Sequence, residues 1–322
     1  MSIENFVRIS LEHIMQVDNV LILAAGKGTR MGNIGKKLPK VIWPIFKKSI
    51  LELEVLYAKE FNPSNIFINI YNYKKEITEH IKKSDVFSNV NIIEESESLD
   101  IGGAIHNIAS KLNYTGILMV MNSDQFILLT EELKSKMIKL LGCSDCVILT
   151  HDVTKADGYN AIDSKDGRVV GIIENSLIGN NHFETYTGMS LINLKSLKPQ
   201  DGESKFFESV ANFHTQKILK INIKESEYWD FGTLRRYSVS MFKIIEKIKN
   251  KNLDSFCTFL INNSAIDVKN IGDQSYCSNK KRVIDLGRNS NHIENTIYLD
   301  TSSILPSVEA CIVGKNREDL LS

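Results

Sequence analysis

Apolar positions along this chain alternate between short solid runs and helical spacing. Val20 to Leu23, Ile66 to Ile70 and Ile117 to Met121 are compact apolar runs that read as buried strands, and Val90 to Ile93 and Cys146 to Thr150 are further extended stretches. Between them, Ile50 to Phe61, Lys74 to Lys82, Gly103 to Leu112 and Glu131 to Leu141 read as helices, the first ended by Asn62-Pro63-Ser64. This alternation predicts an α/β fold, a mostly parallel mixed sheet between helices. Ligands of such a sheet belong at the carboxyl ends of its strands. The glycine-containing stretch after Leu23 and the carboxylate of Asp124 both fall at such ends.

From about residue 158 the pattern changes. Tyr159 to Asp163 and Arg168 to Ile173 flank Ser164-Lys165-Asp166-Gly167, a hairpin with Asp-Gly in its turn. Thr187 to Asn193 and Ile218 to Ile223 are further expected strands, separated by a helix near Lys205 to Phe213. Leu234 to Asn263 reads as helical, with Phe242, Ile245 and Ile248 on one stripe. Residues 2–16 carry Ile3, Phe6, Val7, Leu11, Ile14 and Met15 at helical spacing, an amphipathic lead-in. The expected organisation is an N-terminal helix over 1–17, a main domain over 18–240, and a helical linker with a small β appendage over 241–322.

Charge narrows the partners. Thirty-nine basic residues balance thirty-nine acidic ones, so the overall balance gives no electrostatic footprint for nucleic acid or an acidic membrane. No apolar run approaches the ~20 residues that span a bilayer, so no membrane insertion is expected. The N-terminus lacks the pattern of a secretory signal. There are five cysteines, and Cys143-Ser-Asp-Cys146 has no second pair or nearby histidine to complete a zinc set. Reduced cysteines and a cytoplasmic location are expected.

The chemistry gathers in Leu21 to Ile45, LILAAGKGTRMGNIGKKLPKVIWPI. Ala24-Ala25-Gly26 lets the backbone turn after the strand, and successive N–H groups of such a loop can converge on an anion. Arg30 and Lys40 add positive charge, which suits a triphosphate. The dinucleotide fingerprint fails because Met31 stands at its third glycine, and no stretch spells a P-loop. LAAGKGTRM followed by LPK resembles the opening of sugar-1-phosphate nucleotidylyltransferases.

That resemblance covers roughly residues 18–240 and implies a Rossmann-like nucleotidyltransferase fold. It implies nucleotide contacts from Leu23, Ala24, Ala25, Gly26, Gly28, Thr29, Arg30 and Lys40. Glu97 to Ile105 resembles the family's E-x-L-G-T-x-G-A-I element, which packs on the nucleoside and points to Ser98, Gly102 and Gly103. Asp100 and Ile101 replace its usual Gly-Thr, and a plain helix start capped by Asp100 is the alternative. Asn122-Ser123-Asp124 resembles the N-G-D element whose aspartate binds Mg²⁺, and Trp229-Asp230-Phe231-Gly232-Thr233 resembles a later D-x-G-T element that supplies a second carboxylate. Mg²⁺ prefers such oxygen ligands completed by substrate phosphates. The implied catalytic residues are Arg30, Lys40 and Asp124, and the implied metal ligands Asp124 and Asp230.

On the acceptor side, Gly167 to Asn175 resembles the strand that ends in Glu-Lys-Pro. Glu174 matches, but Asn175 and Ser176 replace the Lys-Pro pair, and Lys205 is a candidate substitute. Gly188 in Tyr186-Thr187-Gly188-Met189 matches the family's Asn-x-Gly. The sugar-phosphate set is therefore Asp124, Glu174, Gly188 and Lys205. The tail IENTIYLDTSSILPSVEACIVGKN resembles one or two turns of the left-handed β-helix appended to several members, which would pack on the main domain or a partner copy and make a homo-oligomer possible. The implied reaction joins a nucleoside triphosphate, GTP or UTP favoured, to a sugar 1-phosphate, releasing pyrophosphate. The alternatives are a cytidylyltransferase for a phosphorylated alcohol such as choline phosphate and a silent nucleotide- or sugar-binding regulatory partner.

Overall fold

A first strand, β1 (Asn19–Leu23), runs into the Ala24–Gly28 loop and lies third from one edge of the main sheet. The computed structural model describes residues 16–28, 31, 35, 38–223 and 228–266, and five short strands between 277 and 321. The lead-in helix expected over 2–16 lies outside the described residues, as do Thr29 and Arg30.

A 3-10 turn over Lys40–Ile42 and a tight hairpin, β2 (Pro44–Ile45) with β3 (Lys48–Ser49), precede α1 (Ile50–Lys59). Ser49 and Glu52 form a reciprocal cap on α1: the hydroxyl accepts from Glu52 N–H at 3.1 Å and the carboxylate accepts from Ser49 N–H at 2.8 Å. Then come β4 (Asn65–Ile70), α2 (Lys74–Ile81), β5 (Val90–Glu94), α3 (Asp100–Lys111) and β6 (Ile117–Asn122). The chain continues through β7 (Gln125–Ile127), α4 (Glu131–Leu141), β8 (Cys146–Thr154), β9 (Ala161–Lys165), β10 (Arg168–Ile173), β11 (His182–Asn193), β12 (Ile218–Asn222), β13 (Tyr228–Asp230), α5 (Leu234–Lys249) and α6 (Ser255–Asn262).

The nine-stranded sheet has the order β5-β4-β1-β6-β11-β8-β12-β10-β9. Four strands at one end, β5, β4, β1 and β6, pair in parallel, so their carboxyl ends open on one edge. β11 is antiparallel to both β6 and β8, and the β9–β10 hairpin closes the far end. The sheet is thus mixed, with its parallel half on the side of the glycine loop.

Alternation along the strands builds two cores. Val20, Ile22, Met119, Met121, Val147 and Leu149 face one layer with α1, α5 and α6. Leu21, Leu118, Val120, Cys146 and Ile148 face the other, against Ile105 and Ile108 of α3 and Phe206 and Val210. Each such fully buried aliphatic side chain contributes about 1.5–3 kcal/mol.

Two expectations change. The segment near Lys205 to Phe213 is a single π-helical turn, Phe206–Val210. The helix expected over Leu234 to Asn263 is two: Lys251 takes a left-handed φ of +54°, and the Asp254 carboxylate caps α6 by accepting from Cys257 N–H at 2.8 Å. The expected boundary at residue 240 falls inside α5, and buried residues from Met241 to Ile266 belong to the first core.

Beyond residue 266 the described strands are β14 (Cys277–Ser278), β15 (Val283–Asp285), β16 (Thr296–Leu299), β17 (Glu309–Val313) and β18 (Arg317–Leu321). They pair in that order. Only β15–β16 is parallel; the other pairings are antiparallel, a departure from the stacked parallel rungs of the β-helix-like coil expected there.

Candidate active site

The carboxyl ends of β5, β4, β1 and β6 border a cavity of about 360 Å³. Leu23, Ala25, Gly26 and Lys27 line it from the loop after β1, Asn69 and Asn72 from β4 and its exit, Glu95 from the end of β5, and Asn122, Ser123 and Asp124 from the end of β6. Lys40, Ser98, Asp100, Ile101 and Glu203 complete most of the wall. This is the position that the parallel half of an α/β sheet gives a ligand.

The loop is pinned from both ends. Ala24 N–H donates to Asn69 Oδ1 at 2.9 Å, and Asn72 Nδ2 donates to the Ala25 carbonyl at 2.9 Å. Gly26 is exposed, and no atom lies within 4 Å of where its Cβ would stand, so the backbone there is approachable. Gly28 has φ +64°, a left-handed conformation that glycine adopts freely, and its carbonyl accepts from Met31 N–H at 2.9 Å.

Lys40 and Asp124 meet directly: Lys40 Nζ donates to Asp124 Oδ2, with both side chains largely buried. Asp124 is tied to Asp230 by a small antiparallel pair, β7 with β13, in which Gln125 faces Asp230. Phe231 N–H donates to the Asp124 carbonyl at 2.8 Å. A methyl group placed on Gly232 would lie 2.7 Å from Asp124 Oδ2 and 3.0 Å from Asp230 Oδ1. The glycine therefore lets two carboxylates from distant parts of the chain converge. Asp230 is oriented by Arg236 Nη1 at 2.9 Å, Tyr159 OH at 3.1 Å and Gly232 N–H at 2.7 Å.

Two carboxylates are the protein share that a hard cation such as Mg²⁺ takes when phosphates supply the rest. No group of three or more possible His, Cys, Asp or Glu ligands occurs among the described residues, so a self-sufficient protein cage is not built here. The donor set fits Mg²⁺ bound together with a phosphorylated substrate.

Two buried carboxylates escaped the motif comparison. Glu95 is 3% exposed; its Oε1 accepts from Asn69 Nδ2 at 2.7 Å, and Leu99 N–H donates to it as well. Burial raises its pKa, opposed by the two hydrogen bonds and by Lys74. Glu54 on α1 is wholly buried, and neither of its oxygens has a hydrogen-bond partner among the described residues. Burial, reinforced by the charge of Asp124, holds it well above the usual carboxylate range. Glu95 follows an apolar strand, a position that could have drawn notice but that no motif marks; Glu54, inside an apolar helix stripe, had no such signal.

Several expected site residues stand elsewhere. Gly102 and Gly103 do not line the cavity. They let α3 approach a neighbouring segment: a Cβ on Gly102 would be 2.6 Å from the Ser204 carbonyl, and one on Gly103 would be 2.3 Å from that of Gly202. Lys205 is exposed, pairs with Glu208 at 3.1 Å and does not line the cavity. Asn175 instead fastens loops, its Nδ2 donating to the carbonyls of Tyr159 at 3.0 Å and Lys155 at 3.2 Å. Glu174 is exposed at the start of a 3-10 turn, away from the cavity wall. Gly188 has φ +88° and lies against Asn122, at the cavity edge. Asp230 also borders a second groove, of about 600 Å³, with Tyr159, Arg235, Arg236 and Lys243 on its walls.

Comparison with known proteins bears on the fold and the family. The chain is 33% identical over 184 residues to the bifunctional protein GlmU of Buchnera aphidicola subsp. Schizaphis graminum, covering 56% of this chain and 38% of the relative. It is 31% identical over 155 residues to GlmU of Acinetobacter baumannii, covering 48% of this chain and 32% of the relative. The chain thus spans about a third of the length of the curated relatives it matches. Among solved structures, HddC from Yersinia pseudotuberculosis in complex with GMP-PN aligns over 70% of this chain and 99% of its own, with a TM-score of 0.59 and 24% identity. A UDP-glucose pyrophosphorylase complexed with UDP-glucose aligns over 72% and 100%, with a TM-score of 0.57 and 17% identity. These likenesses show a shared fold. The family model for nucleotidyl transferases matches residues 19–245, and the chain belongs to that family.

Proposed function

We propose that the chain joins a nucleoside triphosphate to a sugar 1-phosphate, giving a nucleoside-diphosphate sugar and pyrophosphate. The observation that carries this reading is the convergence of the Gly26 loop, Lys40, Asp124 and Asp230 at the open edge of the parallel half-sheet. The attacking atom is a phosphate oxygen of the acceptor, already ionised at neutral pH. It forms a bond to the α-phosphorus while the bond to the leaving pyrophosphate breaks, so no side chain needs to remove a proton or become covalently attached.

The protein's task is then to align two polyanions that repel one another. The accessible backbone of Gly26 and the ammonium of Lys40 hold the triphosphate, and Arg30 is proposed to hold its outer phosphates with a fork of donors. Asp124 and Asp230 would hold Mg²⁺, which supplies charge neutralisation at the reacting phosphates when bound. Arg236 and Tyr159 fix the orientation of Asp230. The groove beyond Asp230, with Arg235 and Lys243, suits the second anionic reactant. Asn175, committed to holding loops, offers no cation to that reactant. This favours, as a second reading, an acceptor with fewer groups to bind, such as a phosphorylated alcohol.

The catalytic unit is proposed to extend past residue 240 to Ile266, where its core ends. No helix among the described residues is long and apolar enough to cross a membrane, and a cytoplasmic site of action is proposed. Loss of one donor aimed at developing charge costs about 10²-fold or more in turnover. Lys40→Ala should therefore lower pyrophosphate release by about that factor. Near-normal release would remove Lys40 from the mechanism.

A further inference from the structure

The second groove, of about 600 Å³, runs from Asp230 along one side of α5. Its two walls differ in charge. On the β8 side stand Asp152 and Asp157, both engaged. Asp157 Oδ2 accepts from Thr154 N–H at 2.8 Å and from Thr154 Oγ1 at 2.7 Å, and Asp152 Oδ1 accepts from Asn222 Nδ2 at 3.2 Å. The α5 side presents Arg235, Arg236, Val239, Ser240 and Lys243, three cations and no carboxylate.

Those cations are not equivalent. Arg236 is spent: Nη1 donates to Asp230 Oδ2 at 2.9 Å and to Tyr159 OH, and Nη2 donates to the Asp157 carbonyl at 3.4 Å. Further along the helix, Lys247 pairs with Asp254 at 3.0 Å. Arg235 and Lys243 are exposed and make no ion pair among the described residues. Lys243 is nonetheless held to the groove: its Nζ stands over the Trp229 ring, 4.4 Å from the centroid, and Trp229 precedes Asp230 in β13. Arg235 and Lys243 lie two turns apart, roughly 12 Å along the axis. Val239 stands between them on the same stripe, 59% exposed, an apolar floor flanked by two charges. Two side chains of that length can converge on one group set over Val239.

We propose that the acceptor carries a second anionic group, a carboxylate or a further phosphate, which Arg235 and Lys243 bind in this groove. This rests on the nucleotidyltransferase reading, in which the reacting phosphate belongs at Asp124 and Asp230 and leaves the two α5 cations without an anion. It narrows the acceptor to sugar phosphates with an acidic substituent. It disfavours choline phosphate, whose far end is a cation that would face two others.

Calorimetric titration of the full chain, with Mg²⁺ present, compares acceptors that differ by one anionic group. Glucose 1-phosphate is set against glucuronate 1-phosphate and glucose 1,6-bisphosphate, and N-acetylglucosamine 1-phosphate against N-acetylmuramate 1-phosphate. These sets place the extra charge at different ring positions and distinguish a carboxylate from a phosphate. In at least one set the more anionic acceptor should bind about tenfold more tightly, the scale of two partly screened charge-assisted contacts. Arg235→Gln and Lys243→Gln should each cut that gap to about threefold and leave the affinity for the neutral-sugar phosphate unchanged. Raising the salt to about 0.5 M should shrink the gap as well. Pyrophosphate release gives the same comparison as KM, which decides the matter where the acceptor binds only after the nucleotide. Equal affinity and equal KM within every set, or tighter binding of choline phosphate, overturns the second-anion assignment and leaves the functional reading to the release assay. A gap that survives both substitutions overturns the role of Arg235 and Lys243. Absence of both binding and release with every acceptor overturns the assignment and the functional reading together.

Discussion

Gly188 has no room for a side chain: its φ is +88°, and a Cβ would stand 1.9 Å from Asn122 Nδ2. Asn122 in turn donates to Gln125 Oε1 at 2.8 Å, at the start of the strand that positions Asp230. Gly188→Ala should destabilise the protein by about 1–3 kcal/mol, through backbone strain and displacement of Asn122. Denaturant unfolding measures it, and an unchanged midpoint would mean Asn122 yields without cost. Glu54 gives a prediction in pH. Its folded pKa lies above the unfolded value, so its favourable contribution is complete below the ordinary carboxylate range and is lost as pH rises toward the folded value. Glu54→Gln removes that titration. The variant should gain stability relative to wild type as pH rises from about 4 to 7, whereas a constant difference would mean that Glu54 titrates normally. At this scale the sequence showed Lys40 and Asp124, because spelled motifs carry them. It did not show Glu95 with Asn69, whose roles come from neighbouring strand ends rather than from a run of residues.

Among elements, α3 illustrates how a helix can be legible while its neighbours are not. The Gly102-Gly103 pair was legible as a helix start that tolerates close approach, but sequence alone could not say what approaches. In the fold it is the backbone of Gly202 and Ser204, beside Glu203 in the cavity wall. Gly103→Ala should therefore cost about 1–3 kcal/mol by overpacking and also weaken nucleotide binding by displacing that wall. Lost stability with unaltered nucleotide affinity would confine the glycine to packing. The long apolar strands were legible because their burial on both faces leaves solid runs. β7 and β13 were not: each has three residues, about a hundred positions separate them, and neither has a period to detect. Yet that pair brings Asp124 to Asp230. The break between α5 and α6 was hidden for a similar reason, since it uses Lys251 in a left-handed conformation where no glycine or proline marks it.

On the scale of the whole molecule, the parallel half of the sheet supplies the cavity proposed for the nucleotide, and β11 joins it, antiparallel, to the rest of the sheet. A doubly covered sheet followed from the alternation of runs, and the family match over 19–245 agrees with it. The placement of Lys205 and Glu174 outside the cavity did not follow, because motif spacing says nothing of which way a loop turns. The central claim is a chemical one, that two phosphates are joined here with loss of pyrophosphate. Mg²⁺-dependent pyrophosphate release by the purified chain tests it directly. The panel crosses GTP, UTP, CTP and ATP with mannose, glucose, N-acetylglucosamine, N-acetylmuramate and heptose 1-phosphates and with choline phosphate. Release with one nucleotide–acceptor pair, abolished by chelation of the metal and by Asp124→Asn, is the predicted result. Silence across the panel from a protein that still binds a nucleoside triphosphate would contradict the account.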